Sequence, residues 1–188
     1  MSFDLYLDDS TIKALSAAAD RNLVTPCFEE NETFRPGKKE GLGTWSELYV
    51  IRDTSLTPPK EGKQDGSVLV FKLALDVLGT AEGGPSDKNA GRTHYLNLYI
   101  DKADLLDKSS KFHQMTARRI GVVNSLLNSL GIVTEGGVKY GEWFNGEDKP
   151  LVGQKVVGTT RKYEYINKKV NPPEPVQSVD IDGFTPLG

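Results

Sequence analysis

Cysteine and histidine are scarce in this sequence. Of 188 residues, one is cysteine (Cys27) and two are histidines, His94 and His113. A single cysteine excludes an intramolecular disulfide and a cysteine-cluster zinc site. The two histidines are distant in sequence and belong to no metal-binding spacing. We therefore expect no metal and no cofactor.

Long apolar runs and catalytic signatures are also missing. No stretch of about 18 apolar residues predicts a membrane span. The first nine residues, Met1–Asp9, lack the basic and apolar regions of a signal peptide, so we expect an intracellular protein without a membrane partner. No Gly-x-Ser-x-Gly, phosphate-binding or dinucleotide glycine pattern is present. A metal-dependent nuclease remains an unsupported alternative, and we expect no enzyme.

Alternating apolar residues predict five β-strands, over 44–53, 67–78, 91–100, 151–166 and 177–184. The second strand is the clearest, because Leu69, Phe71, Leu73, Leu75 and Val77 share one face. That face is expected to be core. In the third strand, Leu96, Leu98 and Ile100 form the corresponding core face.

Helical spacing of apolar residues predicts one long helix over 111–130, capped by Asp107, Ser109 or Ser110 and ended by Gly131. A short helix is predicted within 1–25, with Asp8, Asp9 or Ser10 as its cap. The fold class expected is mainly β: a five-stranded, OB-fold-like β-barrel with the long helix between strands 3 and 4 and a short N-terminal helix. Residues 1–43 form an acidic segment, helix and loop, and residues 44–188 form the barrel domain.

Positive charge is concentrated in one stretch, although the net charge of the chain is −3. Between Lys149 and Val170 lie six lysines and arginines and one acid, Glu164. Strand alternation places Lys155, Arg161, Tyr163 and Tyr165 on one face. Cations and aromatic rings on one face suit single-stranded nucleic acid. A solvated strand whose lysines protect a sheet edge is an equally good interpretation.

Several segments resemble a family of small bacteriophage proteins associated with replication, recombination and single-stranded-DNA binding. The matching segments are the alternating strand 69–77, Gly-Arg-Thr-His-Tyr-Leu-Asn-Leu at 91–98, the helix end at 126–132 and Leu-Val-Gly-Gln-Lys-Val-Val at 151–157. The resemblance covers about residues 44–184. It implies an OB-like barrel that binds single strands in the cytoplasm of an infected host, with replication or recombination proteins as further partners.

The candidate nucleic-acid contacts combine the cations and aromatics of the predicted strands and turns. They are Trp45, Tyr49, Arg92, Tyr95, Tyr99, Lys155, Arg161, Lys162, Tyr163, Tyr165, Lys168 and Lys169. The tyrosines of the third strand also fit a half-exposed sheet without a ligand. The rival function is a phage protein-interaction module, an accessory or virion β-barrel protein, for which the acidic total and the aromatics Trp45, Trp143 and Phe144 are equally suitable. The sequence leaves the oligomeric state open.

Overall fold

The computed structural model describes residues 3–20, 44–82, 90–132 and 136–188, and at 19–20, 44–45, 80–82, 160–165 and 177–179 it describes the backbone alone. The elements, in chain order, are β1 (Tyr6–Asp8), α1 (Asp9–Asp20), β2 (Thr44–Thr57), β3 (Val68–Glu82), β4 (Thr93–Asp101), α2 (Lys102–Leu106), α3 (His113–Ser129), β5 (Gly137–Lys139), α4 (Tyr140–Phe144), β6 (Lys155–Asn167) and β7 (Glu174–Thr185).

Five long antiparallel strands form one sheet in the spatial order β4-β3-β2-β6-β7, which curls into a half-barrel. The prediction of a mainly β chain is confirmed. The four strands β6-β2-β3-β4 lie in Greek-key order, because the fourth in sequence returns beside the first. The expected closure of a full barrel is not seen, since β4 and β7 are edge strands with no pairing to each other in the described chain.

A second, two-stranded sheet joins the chain's beginning to its middle. Strand β1 pairs antiparallel with β5, so that Leu7 lies opposite Val138. Both side chains are buried in the main core. Neither β5 nor the helix α4 that follows it was predicted from the sequence. Each of these elements is too short to show a period in the sequence.

The inner face of the half-barrel carries the core. On β3, Leu69, Phe71, Leu73 and Leu75 are at most 2% exposed. Leu96, Leu98 and Ile100 on β4 share this core with them, and so do α3 side chains such as Ile120 and Leu126. The inner faces predicted for these two strands are therefore confirmed, and the helices lie against the inner side of the sheet.

Helix α3 runs from His113 to Ser129, within the range predicted from sequence. The prediction placed a long helix between strands 3 and 4. In the structure, β1 is an additional strand that was not predicted, so the strands after it are numbered one higher. No helix occurs in the described residues between β3 and β4, and α3 follows β4. No side chain caps the start of α3; Asp107 and Ser110 instead hold the turn before it.

The first half of α3 bridges the two free edges of the sheet. Arg118 Nη2 lies 2.7 Å from Asp182 Oδ1 on β7. The next residue, Arg119, donates from Nη1 to the backbone carbonyl of Tyr99 on β4 at 2.8 Å. Neighbouring arginines on one helix therefore fix both edges of the half-barrel.

Candidate nucleic-acid interface

Two exposed tyrosines stand on the outer face of edge strand β4. Tyr95 is 69% exposed and Tyr99 is 48% exposed. Successive side chains of a strand point to opposite faces, so burial of Leu96 and Leu98 on the inner face leaves these rings on the outer face. They are four positions apart, which is about 13 Å along a strand. The face thus offers two aromatic surfaces to a ligand.

A groove of about 470 Å³ lies beside Tyr99. Strands β3 and β4 form its floor, where Val70 pairs with Tyr99 and Lys72 with Asn97. The loop between β2 and β3 forms its wall with Pro59, Lys60 and Glu61. Gln64 of the same loop donates to the carbonyl of Pro59, and this bond holds the wall in shape.

Some cations near the outer face form ion pairs with carboxylates of the described chain, and others do not. Arg52 donates to Thr93 Oγ1 at 3.1 Å and lies 3.6 Å from Asp76. Lys149 binds Asp53, and this hydrogen bond lowers the pKa of the Asp53 carboxyl. The lysines that line the groove, Lys60 and Lys72, make no ion pair within the described ranges.

Strand β6 extends the same outer face across the sheet. Lys155 is exposed and lies opposite Val50 on β2. Val50 in turn lies opposite Asp76 on β3, and Asp76 opposite Thr93 on β4. Directly opposed residues share a face, so Lys155 lies on the face that carries Tyr95 and Tyr99. One predicted cation and two predicted rings therefore share one face of the sheet, with strands β2 and β3 lying between them.

The remaining candidates in the β6 region fall partly outside the described side chains. The backbone of β6 pairs Arg161 with Asp180, Tyr163 with Ser178 and Tyr165 with Val176. The side chains of these three candidates, and those of Lys162 and Trp45, lie outside the described part of the chain. Lys168 and Lys169 are exposed in the β6–β7 turn, and Arg92 is exposed just before β4.

Tyr49 is a correction to the predicted site. Its side chain is 1% exposed and its ring centroid lies 6.4 Å from that of His94. Gly158 on the next strand makes room for the ring, because a Cβ there would come within 2.8 Å of Tyr49 Cε2. A ring packed in this way cannot stack on a base, so Tyr49 is a core residue. Tyr49 lies two positions before the apolar residue Ile51 and so on the same strand face, and this spacing was the feature of the sequence that indicated its burial.

Lys60, Lys72 and Asn97 are the site residues that the sequence prediction missed. Strand alternation puts Lys72 and Asn97 on the faces opposite the apolar residues of β3 and β4, but nothing in the sequence brings the 58–67 loop over them. The position of this loop over the sheet is set by tertiary contacts, which leave no periodic pattern in the sequence. Lys60 and Lys72 therefore line one groove only because of the tertiary fold.

Comparison with known proteins gives no match to this chain. No family model matches, and no curated protein or solved structure is detectably similar. In the described ranges, no three His, Cys, Asp or Glu side chains are grouped to hold a metal ion. The helices within those ranges are all too short or too polar to cross a bilayer.

Proposed function

We propose that this protein binds single-stranded DNA, without strong sequence preference, across the outer face of β3 and β4. One observation carries the proposal: Tyr95 and Tyr99 are exposed on one strand face, beside a groove lined by Lys60 and Lys72. Aromatic rings stack on unpaired bases, contributing about 1–3 kcal/mol per base. Lysines neutralise phosphates and release counterions.

The fold-level part of the proposal is an OB-like half-barrel. Three features support it: the Greek-key order of the strands, the long helix that follows the third strand of the five-stranded sheet, and the position of the groove. OB-folds bind oligonucleotides on the face of their second and third strands, next to the loop between the first two. Here these elements are β3, β4 and the 58–67 loop, which surround the groove.

Single strands are the favoured ligand because the rings need accessible base faces. In a duplex the bases are already stacked on each other, so Tyr95 and Tyr99 would meet only sugars and phosphates. The resemblance to phage replication and recombination proteins supports a role in coating or presenting single strands during phage DNA replication or recombination.

Fluorescence anisotropy tests this function directly. A labelled thymidine oligomer of about 30 nucleotides, longer than OB-fold site sizes, is titrated with the protein at two salt concentrations beside a duplex of equal length. We expect tight, salt-sensitive binding to the single strand and weak binding to the duplex. No binding at low salt would refute the proposal and favour the protein-interaction module.

The proposed face is tested by the double variant Tyr95→Ala/Tyr99→Ala. Because both side chains are exposed, the variant should fold normally and bind the oligomer at least about tenfold more weakly. Phe112→Ala removes an aromatic ring that is 45% exposed on the helix layer, and it is the matched control. Equal affinity of a folded double variant and the wild type would remove these rings from the site.

A further inference from the structure

The connection between α2 and α3 exposes large apolar side chains. Leu106, at the end of α2, is 70% exposed, and Phe112, just before α3, is 45% exposed. Their neighbour Leu105 is 2% exposed and anchors the segment in the core. We call residues 102–114 the elbow. The elbow thus exposes one aliphatic and one aromatic side chain from an anchored segment, and exposed large apolar side chains can form the centre of a protein-binding surface.

A groove of about 500 Å³ separates the elbow from helix α1. On the α1 side its walls are small, since they are built from Ala14, Ala17 and Ala18. On the elbow side they include Lys108 and Lys111, and none of the described residues that line the groove is acidic. Neither lysine forms an ion pair with any residue that the structure describes. Lys111 Nζ lies 4.9 Å from the ring centroid of Phe112, so this exposed ring lies next to a lysine that lines the groove.

The acids of the elbow are held in its own turns. Asp104 Oδ1 accepts a hydrogen bond from Ser110 Oγ at 2.6 Å. Asp107 Oδ1 accepts from both the backbone amide and the hydroxyl of Ser109, and these bonds lower the pKa of Asp107. These carboxylates shape the turn, while the lysine side chains on the groove side are left to an incoming ligand.

The geometry points to the elbow and its groove as a docking site for an acidic peptide segment with large apolar side chains, carried by a partner protein. The apolar side chains of the segment cover Leu106 and Phe112 and enter the alanine-walled groove. Its carboxylates meet Lys108 and Lys111. Charge complementarity of this kind gives specificity and a fast association rate, and the apolar contacts give affinity.

Nucleic acid fits this surface less well than a peptide. Leu106 has no π face on which a base could stack, and one face of the Phe112 ring already has an ammonium group near it. The elbow belongs to the helix layer, which packs on the inner side of the sheet, whereas Tyr95 and Tyr99 point from its outer side. A peptide at the elbow and a single strand on the sheet can therefore be bound at the same time.

A random-peptide library displayed on yeast, panned against the full chain, tests the inference without a preselected ligand. We expect enriched peptides to combine Asp or Glu with Phe, Trp, Leu or Ile. An enriched peptide should bind Lys108→Glu/Lys111→Glu about tenfold or more weakly than the wild type. The control variant Lys168→Glu/Lys169→Glu makes the same charge change in an exposed turn of the sheet layer and should retain peptide binding.

The apolar half of the site is tested separately by Leu106→Ala/Phe112→Ala, which should also lose the peptide while keeping the thermal unfolding midpoint of the wild type. Failure to enrich any peptide, enrichment of basic peptides, or equal binding to the charge-reversed variant would overturn the inference. A loss of oligonucleotide binding in Lys108→Glu/Lys111→Glu, with peptide binding unchanged, would instead assign the elbow to nucleic acid. Because the peptide assay contains no DNA, its result is independent of the proposed DNA-binding function.

Discussion

The two faces of β3 and β4 consist of alternate residues of the same two strands, yet their environments are opposite. On the inner face, Leu73 and Leu75 are buried in the core, and on β4 Leu96 is 4% exposed. On the outer face of β4, the neighbouring residue Tyr95 is 69% exposed. One face can therefore change its chemistry without affecting the core, because each residue contributes to one side of the sheet. The inner face forms the core, while the outer face of β4 exposes Tyr95 and Tyr99 to solvent.

Replacing Phe71 on the inner face should give the largest effect. Phe71 is fully buried and makes edge contacts with Tyr140 and Phe144, with ring centroids 5.4 and 4.9 Å away. Phe71→Ala removes these contacts and leaves a cavity, so we expect a loss of about 3–5 kcal/mol in the free energy of unfolding. Urea denaturation followed by tryptophan fluorescence measures it. Tyr99→Ala on the outer face should change the same quantity by less than about 0.5 kcal/mol. Equal losses would mean that the two faces are not independent.

Sequence periodicity predicted the inner faces of β3 and β4 well, because their apolar residues alternate over nine positions in β3 and five in β4. It also located α3 within two residues at its start and one at its end. It missed β1 and β5, whose three residues each carry no measurable period. It predicted a closed barrel because strand count alone does not reveal whether the edges of a sheet pair. Whether the edges pair depends on tertiary contacts, such as the ion pair that joins Arg118 of α3 to Asp182 of the edge strand β7.

The candidate site was predictable where exposure follows alternation, and not where tertiary contacts decide it. Tyr95 and Tyr99 alternate with three apolar residues, so the sequence already places them outside the core. Tyr49, in contrast, shares its strand face with the buried residue Ile51. Gly158 on the adjacent strand leaves room for the Tyr49 ring in the interior. The groove at Lys72 depends on where the 58–67 loop crosses the sheet, which no local pattern encodes.

Arg119 links the helix layer to the outer face through the backbone of Tyr99, and its removal should give the next largest effect. Arg119→Ala deletes the 2.8 Å bond to the Tyr99 carbonyl. Loss of one such bond is worth about 1 kcal/mol, or about fivefold in affinity for a single-stranded oligomer. If Arg119 acts by positioning Tyr99, a double-mutant cycle with Tyr99→Ala should show strong non-additivity. The salt dependence of binding should stay unchanged.

Arg118→Ala is the matched control for this cycle, since it removes the same charge from the adjacent residue but breaks a contact to β7. Its effect should add to that of Tyr99→Ala. A lower salt slope in Arg119→Ala would indicate a direct phosphate contact and disprove the positioning role.

His94 brings a titratable group to the inner face, next to Tyr49. Burial lowers the pKa of its imidazole, the Asp180 carboxylate opposes this shift, and Nε2 has no hydrogen-bond partner in the described structure. The folded-state pKa is therefore below the unfolded value of about 6.5. The associated stability is present above pH of about 6.5 and is lost as the pH falls through the folded-state pKa. Thermal unfolding midpoints should decrease over this window in the wild type and decrease less in His94→Gln. Parallel pH profiles would contradict this assignment.

Lys72 should give the smallest effect, because it tests charge on the outer face without removing a ring. A plot of log affinity against log salt concentration has a slope that falls by about 0.7 for each single-strand phosphate contact removed. Lys72→Ala should lower the slope by about this amount and weaken binding mainly at low salt. Lys139→Ala, a lysine paired with Glu142 on the other layer of the molecule, should leave the slope unchanged. The same slope in all three proteins would show that the groove beside Tyr99 does not hold a phosphate, and the DNA backbone would then have to follow β6 and Lys155.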